Sequence, residues 1–473
     1  MALVGSAPAH EGWSSRTAFV LAAIGSAVGL GNLVRFPAEA GANGGGAFVL
    51  FYVGCVVLIG LPILLSETLI GRHGQSAAPE SYRKLAQESG ASTAWEAAAG
   101  LGVLSAFLIL GFYCVIGGWV LHYAWLFLSD IFVSGLGGGA FAGVPFAEVE
   151  GIFPAMIGSG WLTVSLDIVF LILTFFFVVR GVSGGIEVAA VWLMPAFFVL
   201  LLGITIYGAV DSGLKDTLDY MLTFEPEKLT GPVMLAAVGQ AFFSLSLGVA
   251  GMVTYGAYVG RNVNLAKTSS IIAAADTSVA LVAGLCIFPI VFAAGLAPNG
   301  GLGLMFQTLP HAFQEMTAGA LIGFAFFVMV GFAALTSSVA MMEVPTAWLM
   351  EKFKFTRAFS TAIVFIGAGI LGVLSALSTG VLGDFHPLGF VWLFEGMGMM
   401  DTLDTFTSRL TMPVGALLTA VFVGWFADRR LIDSENGLSG GLHLFWRFLV
   451  AWLCPLALTA ILIVGLFPEL LGS

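Results

Sequence analysis

Apolar runs of about 20 residues recur from one end of this chain to the other, and nothing else constrains its fold as tightly. Lipid offers no partner for a backbone N–H or C=O, so a spanning segment satisfies its own groups as a helix or joins a closed barrel. Runs this long exceed the roughly 9–11 residues of a barrel strand, so they are read as helices. With 59% hydrophobic and only 10% charged residues among 473, a water-soluble globular protein is excluded. Eleven spans can be drawn, at about 14–39, 46–71, 96–130, 161–180, 187–210, 232–258, 268–296, 319–350, 357–378, 402–428 and 443–468. The chain is read as an all-α polytopic membrane protein, a single transmembrane domain over 1–473.

Placement of charge sets the orientation. With the N-terminus inside, thirteen of the 17 Lys and Arg fall on the inner side, and only Arg35, Lys215, Lys228 and Arg409 lie outside. An odd number of spans then puts the C-terminus outside, in a multi-pass protein of the cytoplasmic (inner) membrane. The lipid bilayer is the expected partner; the net charge of −11 is spread over short loops, and no nucleic-acid partner is expected. Four cysteines, Cys55, Cys114, Cys286 and Cys454, sit inside apolar runs without paired spacing and read as buried small hydrophobes. No segment resembles a cleaved signal peptide. The longer outer loops, at about 131–160, 211–231, 297–318 and 379–401, are rich in Gly, Pro and acids and can cap an outer vestibule.

The first span is interrupted at Gly25-Ser26-Ala27-Val28-Gly29-Leu30-Gly31-Asn32, with Arg35-Phe36-Pro37 just beyond. Each glycine costs a helix about 1 kcal/mol relative to Ala. Unwinding at bilayer depth survives only where an ion, a polar ligand or a wet cavity satisfies the freed backbone groups. Gly25-xxx-Gly29 also fits close helix packing. A second interruption, Gln240 to Gly251 with Ser244, Ser246 and Gly248, falls five spans later. Matched breaks in two halves of a chain point to an inverted-repeat transporter, 5+5, with helices 1 and 6 broken. The repeats are 14–210 and 232–428, with 443–468 as an added eleventh helix.

Half-helix N-termini attract anions, and C-terminal ends with unwound carbonyls attract cations, an arrangement suited to a zwitterion. Hard cations take oxygen ligands, which Asn32, Ser244, Asp276, Thr336 and Ser337 supply. A hydroxyl in a span more often bonds a carbonyl one turn back, and Asn32 is also compatible with interhelical hydrogen bonding. A carboxylate in an apolar span is a functional-site hypothesis by default, so Asp276 stands out; its alternative is a protonated tie between helices. Glu67 and Glu343 are read as members of structural networks.

Several runs resemble signatures of the neurotransmitter:sodium symporter family, in family order across nearly the whole chain. They are Trp13…Gly25 to Asn32-x-x-Arg35-Phe-Pro37…Asn43-Gly-Gly-Gly-Ala-Phe48, Gln240-x-Phe-Phe-Ser-Leu-Ser-Leu-Gly248, Leu335-Thr-Ser-Ser338 and Leu403-Asp404-x-x-Thr-Ser408. The resemblance, to the bacterial amino-acid branch, implies the leucine-transporter fold and sodium-driven symport by alternating access. It implies one sodium site from the Ala27 carbonyl, Asn32, Ser244, Asp276 and the substrate carboxylate, and a second from Gly25, Val28, Ala333, Thr336 and Ser337. The substrate carboxylate would meet the amides of Leu30 and Gly31 and the Tyr113 hydroxyl. The ammonium would meet carbonyls of Ala27, Phe243 and Ser244 with Ser246, and Ser26, Ile109, Val249, Ser337 and Met341 would line the pocket. An outer gate of Arg35, Asp404 and Gln240 and an inner gate of Trp13, His10, Glu351 and Tyr258 follow by position, although charges near span ends also snorkel.

Gly29 replaces the aspartate of monoamine transporters, so the resemblance implies an amino acid as substrate. Asp276 stands where many members have asparagine, implying sodium use without chloride and a carboxyl able to carry a proton back. Val249 and flexible Met341 imply a roomy pocket for a hydrophobic or aromatic neutral amino acid. His10 replaces a basic residue of the inner gate, with Glu351 as its partner. Gly185 and Pro195 match a spacing with which relatives unwind span 5. A symporter of another zwitterion, a transport-dead sensor and an ion channel are the competing functions. No nucleophile–base pair or metal-ligand spacing marks an enzyme.

Overall fold

A computed structural model describes residues 12–211, 214–296 and 301–467, and among these there are helices and no strand. The first interrupted span is two helices, α1 (Arg16–Ala27) and α2 (Gly31–Ala42), bent by 51° where they meet. Ser15 caps α1 by accepting from the Ala18 N–H at 3.1 Å. Then follow α3 (Gly46–Gly74), α4 (Thr93–Ser134), α5 (Gly160–Val178) and α6 (Val182–Val210). The second interrupted span comprises α7 (Gly231–Ser244) and α8 (Gly251–Ala257). The chain continues through α9 (Leu265–Ala293), α10 (Gly319–Phe353), α11 (Arg357–Ser378), α12 (Met399–Phe426) and α13 (Gly440–Leu466).

Nine of these helices are long and apolar enough to cross a bilayer, or ten with α1 and α2 taken as one bent span. The eleven spans drawn from the sequence differ at 232–258. There α7 has 14 residues, about 21 Å at 1.5 Å per residue, short of the roughly 30 Å hydrocarbon core. The break itself divides the apolar run, so neither piece spans alone. Span 5, where Gly185 and Pro195 match the spacing that relatives unwind, is wound in this structure. It is helical throughout, with a π-helical turn at Val182–Ile186 and Pro195 inside the continuing helix.

Burial sorts the helices into a centre and a rim. In α4, 72% of the most apolar window is buried, against 22% in α13, whose apolar side chains therefore face lipid. Around α4 pack α5, α10 and α11, while α1 lies against α6, α9 and α10. Connections hold short helices at Phe146–Gly158, Lys215–Leu222 and Leu309–Glu315, within loops expected to cap a vestibule.

Candidate functional site

The breaks lie side by side, and each supplies partners for the other. At the first, α1 ends at Ala27 and Val28 turns extended, with ψ 108°. Freed donors and acceptors can then be traced one by one. The Gly29 N–H donates to Asn32 Oδ1 at 3.2 Å and the Leu30 N–H to the Tyr113 hydroxyl at 3.4 Å. Gln240 Nε2 donates to the Gly31 carbonyl at 2.9 Å, and Ser246 Oγ to that of Ser26 at 3.3 Å. At the second break Ser246, Gly248 and Ala250 all have φ between 50° and 79°. A left-handed residue other than glycine costs roughly 1–2 kcal/mol. Glu67 of α3 offsets part of that cost by accepting from the Gly248 N–H at 2.8 Å.

Two oxygen clusters flank the first break. In one, Asn32 Nδ2 lies 2.8 Å from Asp276 Oδ1 and 3.0 Å from Ser244 Oγ, and Ser244 donates to Asp276 Oδ2 at 2.7 Å. All three residues are fully buried. Tyr52 of α3, which carried no sequence signal, joins them by donating to Ser244 at 3.3 Å. In the other cluster Ser337 Oγ donates to the carbonyls of Gly25 and Val28, both at 3.2 Å, while Thr336 Oγ1 reaches the Ala333 carbonyl at 3.1 Å. Here the back-bonding role of Thr336 and an interhelical role coexist, because α10 turns its 336–337 edge toward the end of α1.

Between the clusters lies a small-residue cradle. A Cβ at Gly29 would come within 2.7 Å of Ser337 Oγ and 2.9 Å of the Tyr113 hydroxyl, and one at Gly31 within 2.9 Å of the Phe243 ring. A Cβ at Gly251 would meet Val249 at 3.7 Å and Ser26 at 3.9 Å, so those side chains share one wall. Ile109 stands one turn before Tyr113 on α4 and Met341 one turn after Ser337 on α10. Ser26, Gly29, Gly31, Tyr113, Phe243, Val249 and Ser337 are thus brought together from α1, α2, α4, α10 and the α7–α8 break, with Ile109 and Met341 a helical turn from Tyr113 and Ser337.

Of the residues expected at the flanking gates, some meet and others do not. Arg35 Nε pairs with Glu39 at 3.7 Å, and its guanidinium lies 4.5 Å from the centre of the Phe243 ring; no ion pair with Asp404 forms among the described residues. That pairing needs α2 and α12 to approach, whereas Glu39 is one turn away on the same helix. On the opposite side Trp13 Nε1 donates to the Tyr255 carbonyl at 3.1 Å and stacks edgewise on Tyr255 and Tyr258. Tyr258 donates to Glu343 at 2.8 Å, and Arg357 grips both Glu343 oxygens at 2.7 and 3.0 Å. Ser14 bonds Glu187 through both its amide and its hydroxyl. Glu351 accepts from the Ala77 N–H, which turns it toward the loop after α3. His10, its expected partner, lies outside the described residues.

Asp167 on α5 escaped the sequence reading although it too is a carboxylate in an apolar run. It is fully buried, and neither oxygen has a hydrogen-bond partner among the described residues. A Cβ at Gly372 of α11 would sit 2.4 Å from Oδ2, so a glycine makes room for the carboxyl.

An all-helical membrane protein with two adjoining broken helices, each lined by bared carbonyls and hydroxyls, belongs to the broken-helix class of secondary transporters. A profile of the Sodium:neurotransmitter symporter family matches residues 10–132 and 156–469. YhdH of Bacillus subtilis, described as an uncharacterised sodium-dependent transporter, is 35% identical over 467 residues, with 97% of each chain covered. An uncharacterised sodium-dependent transporter of Haemophilus influenzae is 31% identical, covering 97% of this chain and 98% of that one. The crystal structure of MhsT in complex with L-phenylalanine superposes with a TM-score of 0.85 at 38% identity, covering 96% of this chain and 99% of that one. The chain belongs to the sodium:neurotransmitter symporter family and is a sodium-dependent transporter.

Proposed function

We propose that the protein carries a neutral hydrophobic or aromatic amino acid inward together with two sodium ions, by alternating access and without chloride. The observation that carries this reading is the backbone at Gly29 and Gly31, approached by Ser337 and Tyr113 at the first and by Phe243 at the second, between two buried oxygen clusters. Sodium is cargo here. One ion takes the Ala27 carbonyl, Asn32, Ser244, Asp276 and the substrate carboxylate, where the fixed charge of Asp276 replaces chloride. The second takes the carbonyls of Gly25, Val28 and Ala333 with the hydroxyls of Thr336 and Ser337. Ser337 Oγ already lies within hydrogen-bond distance of two of these carbonyls, so a cation entering between them meets aligned oxygens.

The substrate carboxylate meets the Leu30 and Gly31 amides and Tyr113, and its ammonium meets the carbonyls of Ala27, Phe243 and Ser244 with Ser246. The side chain lies along Ser26, Ile109, Val249 and Met341. The relative crystallised with L-phenylalanine supports an aromatic amino acid as the ligand. Inverted repeats at 14–210 and 232–428, with 443–468 added, each give two spans to a rocking bundle of spans 1, 2, 6 and 7, in an inner membrane with the N-terminus inside and the C-terminus outside. Two elementary charges crossing 100 mV release about 4.6 kcal/mol, enough for roughly a thousandfold gradient.

The test is uptake of labelled L-phenylalanine into proteoliposomes under a sodium gradient, with the twenty amino acids as competitors. Expected are sodium-dependent, chloride-independent uptake competed best by aromatic and branched neutral amino acids, and loss of uptake in Asp276→Ala. Binding without uptake would make the protein a sensor, and undiminished uptake in Asp276→Ala would remove the sodium role of that carboxylate.

A further inference from the structure

Arg35 has two acidic residues within electrostatic reach, on different helices, and pairs with the one that sequence signatures did not mark. Glu39 lies one turn along α2 with its Oε1 3.7 Å from Arg35 Nε. Its other oxygen is held: Asn43 Nδ2 donates both to Glu39 Oε2 and to the Glu39 carbonyl, each at 2.9 Å. Asn43 therefore anchors the carboxylate and aims the remaining oxygen at the guanidinium. Asp404, on α12, feels the charges of Arg35, Asp401 and Arg409 without pairing with Arg35. Arg409 shares its helix, so that charge stays with Asp404 through any rigid movement of α2 against α12. The Arg35–Glu39 pair is likewise internal to α2. An Arg35–Asp404 pair instead bridges two helices and forms only when they close.

We propose that Glu39 is a positioning residue of the outer gate: it holds Arg35 away from Asp404, and the guanidinium transfers to Asp404 as the outer path closes. This rests on the transport reading above for the substrate that closure encloses. Phe243 follows the exchange, because its ring lies under the guanidinium at 4.5 Å and against Gly31 at the site. The intrahelical pair is about one-third exposed, so it biases the gate without locking it. A small bias suits a gate that opens in every cycle, since a ligand shifts an equilibrium only by its differential affinity.

A double-mutant cycle tests the exchange. Glu39→Gln keeps the side-chain length and the Asn43 contact but removes the charge. Expected is a rise of about two- to fivefold in L-phenylalanine affinity in saturating sodium, because the closed arrangement gains population. In the Asp404→Asn background the same substitution leaves affinity unchanged, since the guanidinium then has no second partner. A readout without substrate is the distance between spin labels at Ala42→Cys and Glu395→Cys. Its distribution shortens in Glu39→Gln and lengthens in Asp404→Asn. Equal effects of Glu39→Gln in both backgrounds, or unchanged distances, would overturn the exchange and leave Glu39 a helix-stabilising residue. Failure of the wild type to bind L-phenylalanine would overturn the substrate assignment alone, because the distances still report on the gate.

Discussion

At the scale of single residues, the site depends on atoms that are missing. Gly29 is not in the left-handed region, yet a methyl group there would lie 2.7 Å from Ser337 Oγ and 2.9 Å from the Tyr113 hydroxyl. Both neighbours belong to long buried helices and can retreat little, and overpacking of this kind costs about 1–3 kcal/mol. Gly29→Ala is therefore expected to lower L-phenylalanine affinity about tenfold or more with little change in helical content, measured by equilibrium binding beside circular dichroism. Asn32 shows a different economy. Its oxygen accepts from Gly29 while its nitrogen faces Asp276 and Ser244, so one side chain both repairs the break and joins the oxygen cluster. A motif match could mark Asn32 and Asp276, but not Tyr52. A tyrosine in an apolar span has no signal until the fold places its hydroxyl at Ser244. Asp167 had a signal, a carboxylate at membrane depth, and its neighbour Gly372 is 205 positions further along the chain.

At the scale of elements, the second break is held in place by contacts from other helices. Gly248 has φ 79°, its amide is taken by Glu67 of α3, and a Cβ there would lie 2.1 Å from the Met412 carbonyl of α12. Gly248→Ala is expected to cost about 2–4 kcal/mol, from left-handed strain and a backbone collision, read as a lowered unfolding midpoint in detergent. Gly239→Ala, with open space at its Cβ in α7, is the control and should be neutral or slightly stabilising. Helix existence was legible from apolar length at nearly every span. The exception at 232–258 follows from the same feature that makes the span functional, since six residues from Leu245 to Ala250 leave the helix. In span 5 a glycine and a proline at a suggestive spacing lie in a helix that is wound in this structure, with α1, α9 and α10 packed along it.

At the scale of the whole molecule, distant segments are tied by a charged junction at the end of α3. Arg72 at the end of α3 bonds Glu435 through Nε at 2.7 Å, and also bonds the carbonyls of Glu435 and Val263. His73 lies 2.9 Å from Glu88 and 3.8 Å from Glu435. The junction joins α3, the loop before α9 and the Arg429–Asn436 helix. His73 first, and then Arg72, hold the Glu435 carboxyl below its ordinary range. A carboxyl with a depressed folded pKa stabilises above its unfolded value of about 4.3, and that contribution fades as pH falls through the lower folded value. Thermal stability of the wild type should therefore fall on acidification below about pH 4.5, and Glu435→Gln should flatten the profile while costing about 1–3 kcal/mol at neutral pH.

Length, apolar periodicity and the paired glycine–serine interruptions were sufficient for an all-helical membrane protein with two weak points and oxygen-bearing side chains near both. Those are local properties, set by what lipid forbids a backbone to leave unpaired. Which partners meet was decided by packing. Arg35 pairs with Glu39 and not with Asp404, and Glu351 bonds the Ala77 amide, because charged side chains take whichever partner the helix arrangement brings close. A linear pattern carries no distance between helices, and it is that distance which selects among partners the sequence makes equally available.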